Sequence, residues 1–193
     1  MKQGIATRSK IGESACGDAY LIENLDDRTV VCVVDGAGHG ENAAVASQKA
    51  IVLLKQNLKL EPEDMIKMCH KELINTRGAV IGIAVIHEKE NTLSYIGVGN
   101  ISAVLVRDIA SQTESRHLTS LSGIMGYNLR TVKTFRYPYR TGDILTMFSD
   151  GISSRVDIPS YLSSSKDDLQ DIANLILREH GKNEDDATIV MVS

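Results

Sequence analysis

The sequence is short of several residue types, and each shortage narrows its class. It has no tryptophan, two phenylalanines and three prolines in 193 residues. No stretch is rich enough in Ser, Gly or Pro to be an interdomain linker, so one compact domain over 1–193 is expected. The three cysteines, Cys16, Cys32 and Cys69, are too few and too scattered for a disulfide framework or a zinc site, and they fit a reducing cytoplasm. No run reaches the roughly 18 apolar residues needed to cross a bilayer, and Met1 to Lys10 lacks the apolar core of a secretion signal. Positive charge is not in excess: 21 Lys and Arg stand against 25 Asp and Glu, a formal charge of −4. That balance gives nucleic acid or an anionic membrane no electrostatic footprint. Coiled-coil heptads are absent, and a monomer is the default expectation.

Apolar periodicity is what the chain does have. Ala19 to Glu23 and Thr29 to Val34 predict two strands around a polar loop. The run Val30-Val31-Cys32-Val33-Val34, β-branched and apolar throughout, predicts a buried central strand. Helical spacing follows from Asn42 to Leu58, and Pro62 opens a second helix to about Asn75. Ala79 to His87, Thr92 to Gly97 and Ser102 to Arg107 predict a meander. Thr131 to Tyr137 and Asp143 to Phe148 predict two more strands. Ser160 to Ser165 reads as a loop ending in a helix cap, with Ser165 the cap and Asp168 three residues on. A third helix follows from Leu169, ended by Gly181, and Ala187 to Val192 is a terminal strand. Helices do not alternate with strands, so the expected class is α+β, with antiparallel sheets and helices packed outside.

Aspartates stand where these strands meet turns. Asp18 precedes one strand, Asp35 closes the buried strand, Asp150 follows another, and Asp185, with Asp186 beside it, opens the last. A carboxylate at the end of a buried strand is costly unless paired or metal-bound, and a divalent cation relieves the repulsion among several. Oxygen ligands without clustered His or Cys point to magnesium or manganese. Gly36 and Gly151 permit sharp turns and let a backbone carbonyl approach an ion. A lone Asp-Gly is more often a turn than a ligand; the repeated placement at strand ends is what favours a metal.

The ordered set Gly17-Asp18, Asp35-Gly36-Ala37-Gly38-His39-Gly40, Gly99-Asn100, Gly142-Asp143, Ser149-Asp150-Gly151 and Asp185-Asp186-Ala187-Thr188 resembles the metal-dependent serine/threonine protein phosphatases of the PPM family. The short span between Asp150 and Asp185, and Gly-Asp in place of a Glu-Asp pair, lean toward its bacterial SpoIIE-like branch and the phosphatases that reset the stressosome. The resemblance implies an α-β-β-α sandwich of two antiparallel sheets, with a cleft at one edge holding two divalent ions, Mn2+ or Mg2+. By position, Asp35 would bridge both ions, Asp150 and Asp185 would complete one shell, and the Gly36 carbonyl with Asp18, directly or through water, would serve the other. It also implies phosphorylated STAS-domain regulators as partners, either stressosome components or anti-anti-sigma factors.

Two departures from the family pattern bear on chemistry. Ala37 stands where many relatives carry a general-acid His; His39, two places on, is the candidate donor and equally a residue at a helix start. No arginine upstream of Asp18 matches the usual phosphate-binding position, although Arg8 and Lys10 are near. Asp143 reads as a turn residue, Asp186 and Thr188 as supports for Asp185. His70, His87, His117 and His180 have no ligand spacing. Cys16 lacks the arginine loop of a cysteine phosphatase. A dinucleotide fold is mimicked by Gly36-x-Gly38-x-Gly40, but the third glycine comes one place early and no βαβ alternation follows. A binding module that kept the fold and lost the chemistry is the remaining alternative.

Overall fold

The structure, a computed structural model, describes residues 1–109, 112–164 and 168–193. In chain order the elements are β1 (Gln3–Arg8), β2 (Asp18–Asn24), β3 (Thr29–Gly36), α1 (Glu41–Gln56), α2 (Pro62–Glu72), β4 (Ala79–His87), β5 (Thr92–Val98), β6 (Ser102–Ile109) and β7 (Gln112–His117), then β8 (Ser120–Leu121), β9 (Phe135–Pro138), β10 (Ile144–Phe148), α3 (Ile158–Ser164), α4 (Leu169–His180) and β11 (Ala187–Val192). One sheet has the order β1-β11-β10-β6-β7 and is antiparallel throughout. The other runs β2-β3-β4-β5, also antiparallel. The far edge of β5 is shared: β9 pairs antiparallel over Thr92–Tyr95, and β8 pairs parallel at Gly97 and Val98, a short departure from the antiparallel expectation.

Alternation along the strands sorts the side chains into three cores. Val31, Val33, Ala84 and Ile86 of one sheet meet Leu105, Leu145, Met147 and Val190 of the other between the sheets. Cys32, Val34, Ile81 and Ile83 face α1 and α2 through Leu54, Met65, Ile66 and Cys69. Val104, Phe148, Ile189 and Met191 face α4 through Ile172, Ala173 and Ile176. Helices, sheet, sheet and helices thus form the expected four layers. β3 is buried on both faces, which is why its sequence is an unbroken apolar run. Small residues on α1 (Ala43, Ala46, Ser47, Ala50) let the helix lie close to the sheet.

Several elements differ from the sequence expectation, each for a physical reason. β1 carries little apolar signal because it is an edge strand. Gly4 lies under α4, where an added Cβ would meet the Leu169 carbonyl oxygen at 2.0 Å, and the Gln170 amide closes the edge, accepting from Ile5 N at 3.0 Å and donating to Ile5 O at 2.6 Å. β7 is hidden from periodicity because Thr113 to His117 are all exposed. The Ser-rich segment expected to be a loop is helix α3, anchored by buried Ile158. Residues 131–134 are not strand; only Phe135–Pro138 pair. The cap of α4 is Asp168 itself, whose Oδ1 accepts from Gln170 N and Asp171 N at 2.9 and 3.0 Å; Ser165 lies outside the described residues. Asp143 does occupy a turn, but its buried carboxylate also binds Arg107, with Nε at 2.8 Å and Nη2 at 2.5 Å. Lys2 and Ser193 exchange backbone hydrogen bonds of 2.9 and 3.0 Å beyond the β1–β11 ladder. No helix among the described residues is long and apolar enough to cross a membrane.

Candidate active site

The aspartates meet because of register and parity. Asp35 shares the face of Val31 and Val33, so it points into the space between the sheets where the apolar filling stops. Asp18 lies directly opposite it across the β2–β3 ladder, and cross-strand partners share a face. From the other sheet, Ser149 and Asp150 follow β10, and Asp185 and Asp186 precede its neighbour β11. Gly151 allows these two turns to touch: a Cβ there would stand 1.8 Å from the Asp186 carbonyl oxygen.

Each carboxylate then has its own surroundings. Asp18 is buried; its Oδ2 accepts from Ser149 Oγ at 2.6 Å, and that hydroxyl accepts from Thr188 N at 3.0 Å. Its Oδ1 has no partner. Asp186, also buried, accepts from Lys10 N at 2.9 Å through Oδ1, while its Oδ2 has no partner. That free oxygen sits 2.7 Å from where a Cβ on Gly17 would stand, so any side chain at position 17 would displace it. Asp150 Oδ2 accepts from Asn100 Nδ2 at 2.7 Å, and the Asp150 carbonyl accepts from Lys182 Nζ at 2.6 Å.

Protonation is displaced accordingly. Burial first, then the charges of Asp18, Asp150, Asp185 and Asp186, push Asp35 up to about 8. Burial pushes Asp18 up to about 7 against the opposing hydrogen bond of Ser149. Burial and the Asp150 charge also raise Asp185. Among the described residues, no three His, Cys, Asp or Glu side chains are gathered tightly enough to hold an ion as they stand; the carboxylates converge without closing. Hard oxygen donors, mutual repulsion and two partnerless buried carboxylate oxygens together fit a divalent cation.

A cleft of about 420 Å3 opens at this end, bordered by Asp35, Gly38, His39, Asn100, Asp150 and Asp185. Asp18 is not on its wall; it borders a separate hollow beside Cys16. Burial pushes the Cys16 thiol up to about 11, so it is no thiolate nucleophile at neutral pH. His39 is half exposed, and its Nδ1 lies 2.6 Å from Glu13 Oε1. A carboxylate only accepts, so Nδ1 carries the proton. Arg8 does not reach the cleft: its Nη2 donates to the Lys182 carbonyl at 2.7 Å.

Gly36 has a steric duty apart from any carbonyl ligand. Its nitrogen donates to the Gly17 carbonyl at 3.1 Å, and an added Cβ would fall 2.1 Å from the Ala43 carbonyl oxygen of α1. Gly36→Ala is therefore expected to push α1 outward and destabilise the fold by about 1–3 kcal/mol, or about 2–4 °C in Tm per kcal/mol at this size. A thermal melt equal to wild type would show that α1 yields freely. Sequence reasoning passed over Asn100 and Lys182 as site residues. Asn100 had a signal in its Gly-Asn turn; Lys182 had none.

This sandwich, with acidic turns of both sheets at one open end, is the architecture of the PP2C-like phosphatase domains. Solved structures share it. One, from work on the bacterial stressosome as a modular system adapted to control secondary messenger signaling, is 29% identical with a TM-score of 0.91, covering 98% of this chain and 97% of that one. RsbX in complex with magnesium is 26% identical, TM-score 0.84, covering 97% and 92%. The PP2C phosphatase domain of SpoIIE from Bacillus subtilis is 24% identical, TM-score 0.80, covering 98% and 62%, and shares the fold. The sequence profile of Stage II sporulation protein E (SpoIIE) matches residues 25–193, and the chain belongs to that family, a serine/threonine phosphatase branch of the PPM group. Stage II sporulation protein E of Priestia megaterium is 25% identical over 214 residues; the alignment takes in 97% of this chain but spans only 35% of that protein's length.

Proposed function

We propose that this chain removes phosphate from phosphoserine and phosphothreonine in STAS-domain regulators of a bacterial stress-response pathway, acting as a monomeric cytoplasmic enzyme of one domain. One observation carries the reading: aspartates from both sheets meet at one open end, with buried carboxylate oxygens of Asp18 and Asp186 left without partners. Likeness to RsbX and to the stressosome structure supports the substrate class. Asp35, Asp150, Asp185 and the Gly36 carbonyl would hold two divalent ions, Mn2+ or Mg2+, with Asp18 reaching one of them directly or through water. When bound, such ions supply an acidified water as nucleophile and offset charge on the phosphoryl oxygens.

The remaining work falls to the chain's own groups. Asn100 fixes the Asp150 carboxylate through one oxygen and leaves the other for the cleft. Ser149 and Thr188 hold Asp18 from the opposite sheet, so the two sheets keep their spacing at the site. Glu13 orients His39 through Nδ1–H; when the ring is also protonated at Nε2, that second N–H is the one free to deliver a proton to the departing serine or threonine oxygen. His39→Asn is expected to lower kcat on a phosphoserine protein by about 10²–10⁴-fold. It should barely affect an aryl phosphate, whose leaving group needs no proton. Equal losses on both substrates would remove His39 from the donor role. The function itself is tested by incubating the protein and manganese with a phosphorylated STAS-domain protein and following intact mass. Retention of the phosphate with every divalent metal tried would overturn the reading.

A further inference from the structure

The cleft has an electrostatic problem that the aspartates create. A phosphomonoester carries a charge of about −1.5 to −2 near neutral pH, and apart from the ions that Asp35, Asp150 and Asp185 would hold, the walls it approaches, Glu184 included, are acidic. The cations at hand are mostly committed. Lys182 donates to the Asp150 carbonyl, Arg8 to the Lys182 carbonyl, and His39 is held by Glu13. Arg77 is different. It is exposed, and among the described residues no hydrogen bond or ion pair engages it. Its Nη1 lies 3.0 Å from where a Cβ on Gly38 would stand, so the guanidinium sits beside Gly38, a residue of the cleft wall, without itself lining the cleft.

The placement is built by the backbone. The Gly78 carbonyl accepts from Ala37 N at 2.9 Å, which pins the Arg77-Gly78 turn to the Asp35–Gly38 loop. Gly38, with φ of +92°, leaves the space above it open for the guanidinium. A side chain there would strain the turn and push Arg77 away.

We infer that Arg77 is the residue that binds the substrate's phosphate, taking two phosphoryl oxygens in the planar, bidentate fashion of a guanidinium. The inference rests on the phosphatase reading for its substrate, but the binding it claims is separable from catalysis. Arg77 would extend over Gly38 into the cleft from the turn between α2 and β4, a different part of the chain from the segment before Asp18.

The test uses the full chain with magnesium present, and reads both binding and turnover. Inorganic phosphate is titrated by calorimetry into wild type, Arg77→Ala and Arg77→Lys, and KM and kcat are measured on a phosphoserine peptide. Loss of a charge-assisted pair predicts roughly a 10- to 100-fold weaker phosphate Kd and a similar rise in KM for Arg77→Ala. kcat should fall less, and Arg77→Lys should recover part of the loss. Wild-type Kd and KM in Arg77→Ala would overturn the assignment and leave the phosphatase reading intact. Phosphate binding that needs Arg77, in a protein that hydrolyses nothing, would sustain the assignment and overturn the phosphatase reading.

Discussion

Asparagine in place of Asp35 is expected to lower hydrolysis of a phosphoprotein and of an aryl phosphate by about a thousand-fold or more, equivalent to at least ~4 kcal/mol of transition-state stabilisation. The protonation of Asp35 responds to Asp18, Asp150, Asp185 and Asp186 together, so the acids of both sheets bear on it. An amide keeps the shape and removes the charge on which a cation depends. The same substitution should raise the thermal stability of the metal-free protein above pH 7, because it deletes the centre of a repelling group. Activity and stability therefore move in opposite directions, as at sites where function is bought with local instability. A variant that loses activity and also melts lower without metal would point to misfolding. A variant that keeps its activity would remove Asp35 from the catalytic machinery.

Stability of the metal-free protein should fall as pH rises from about 4 to about 8. Asp35 and Asp18, pushed up to about 8 and about 7 from 3.8, hold protons in the folded state that the unfolded chain releases near pH 4. Below pH 4 both states are protonated and the advantage of the neutral form is complete. Between the two ranges the folded state binds more protons than the unfolded one, and stability drops by about 1.4 kcal/mol per pH unit for each extra proton. Above pH 8 both states are ionised and the loss is complete. A divalent cation binds the ionised form, so the rise in Tm on adding manganese or magnesium should be small at pH 5 and large at pH 8. Melting curves with and without chelator at the two pH values decide this. A metal-induced shift independent of pH would mean that the cation binds away from these carboxylates.

Local pattern was enough for the parts of the molecule whose structure is local. β3 and β11 are continuous apolar runs because both faces of each are covered, and Ala187–Val192 falls where the run does. Asp35, Asp150 and Asp185 are visible in the sequence because each interrupts a strand with a charge. What escaped depends on partners far along the chain. β1 has almost no apolar content, and its position follows from β11, some 180 positions later, and from the Gln170 side chain. Asp18 is a candidate metal residue from the sequence, but its burial and its bond to the Ser149 hydroxyl of the opposite sheet follow only from the cross-strand register. Lys182 and Arg77 carry no motif at all. Their relevance comes from the turns that hold them, Gly151–Lys182 and Ala37–Gly78, which are backbone contacts that no composition encodes.

The pairing of Lys2 with Ser193 brings the two chain ends together. β11 runs from the acidic turn at Ala187 to Val192, a span of about 20 Å at the usual rise per residue, so both ends emerge at the pole of the sandwich opposite the cleft. Lys2 and Ser193 thus lie side by side at that pole. A sensor or scaffold module joined at either end would hang from the far pole without shading the cleft. Joining Lys2 to Ser193 by a short linker and reopening the chain in an exposed turn should preserve the carboxylate cluster, which makes this sandwich a portable catalytic cassette.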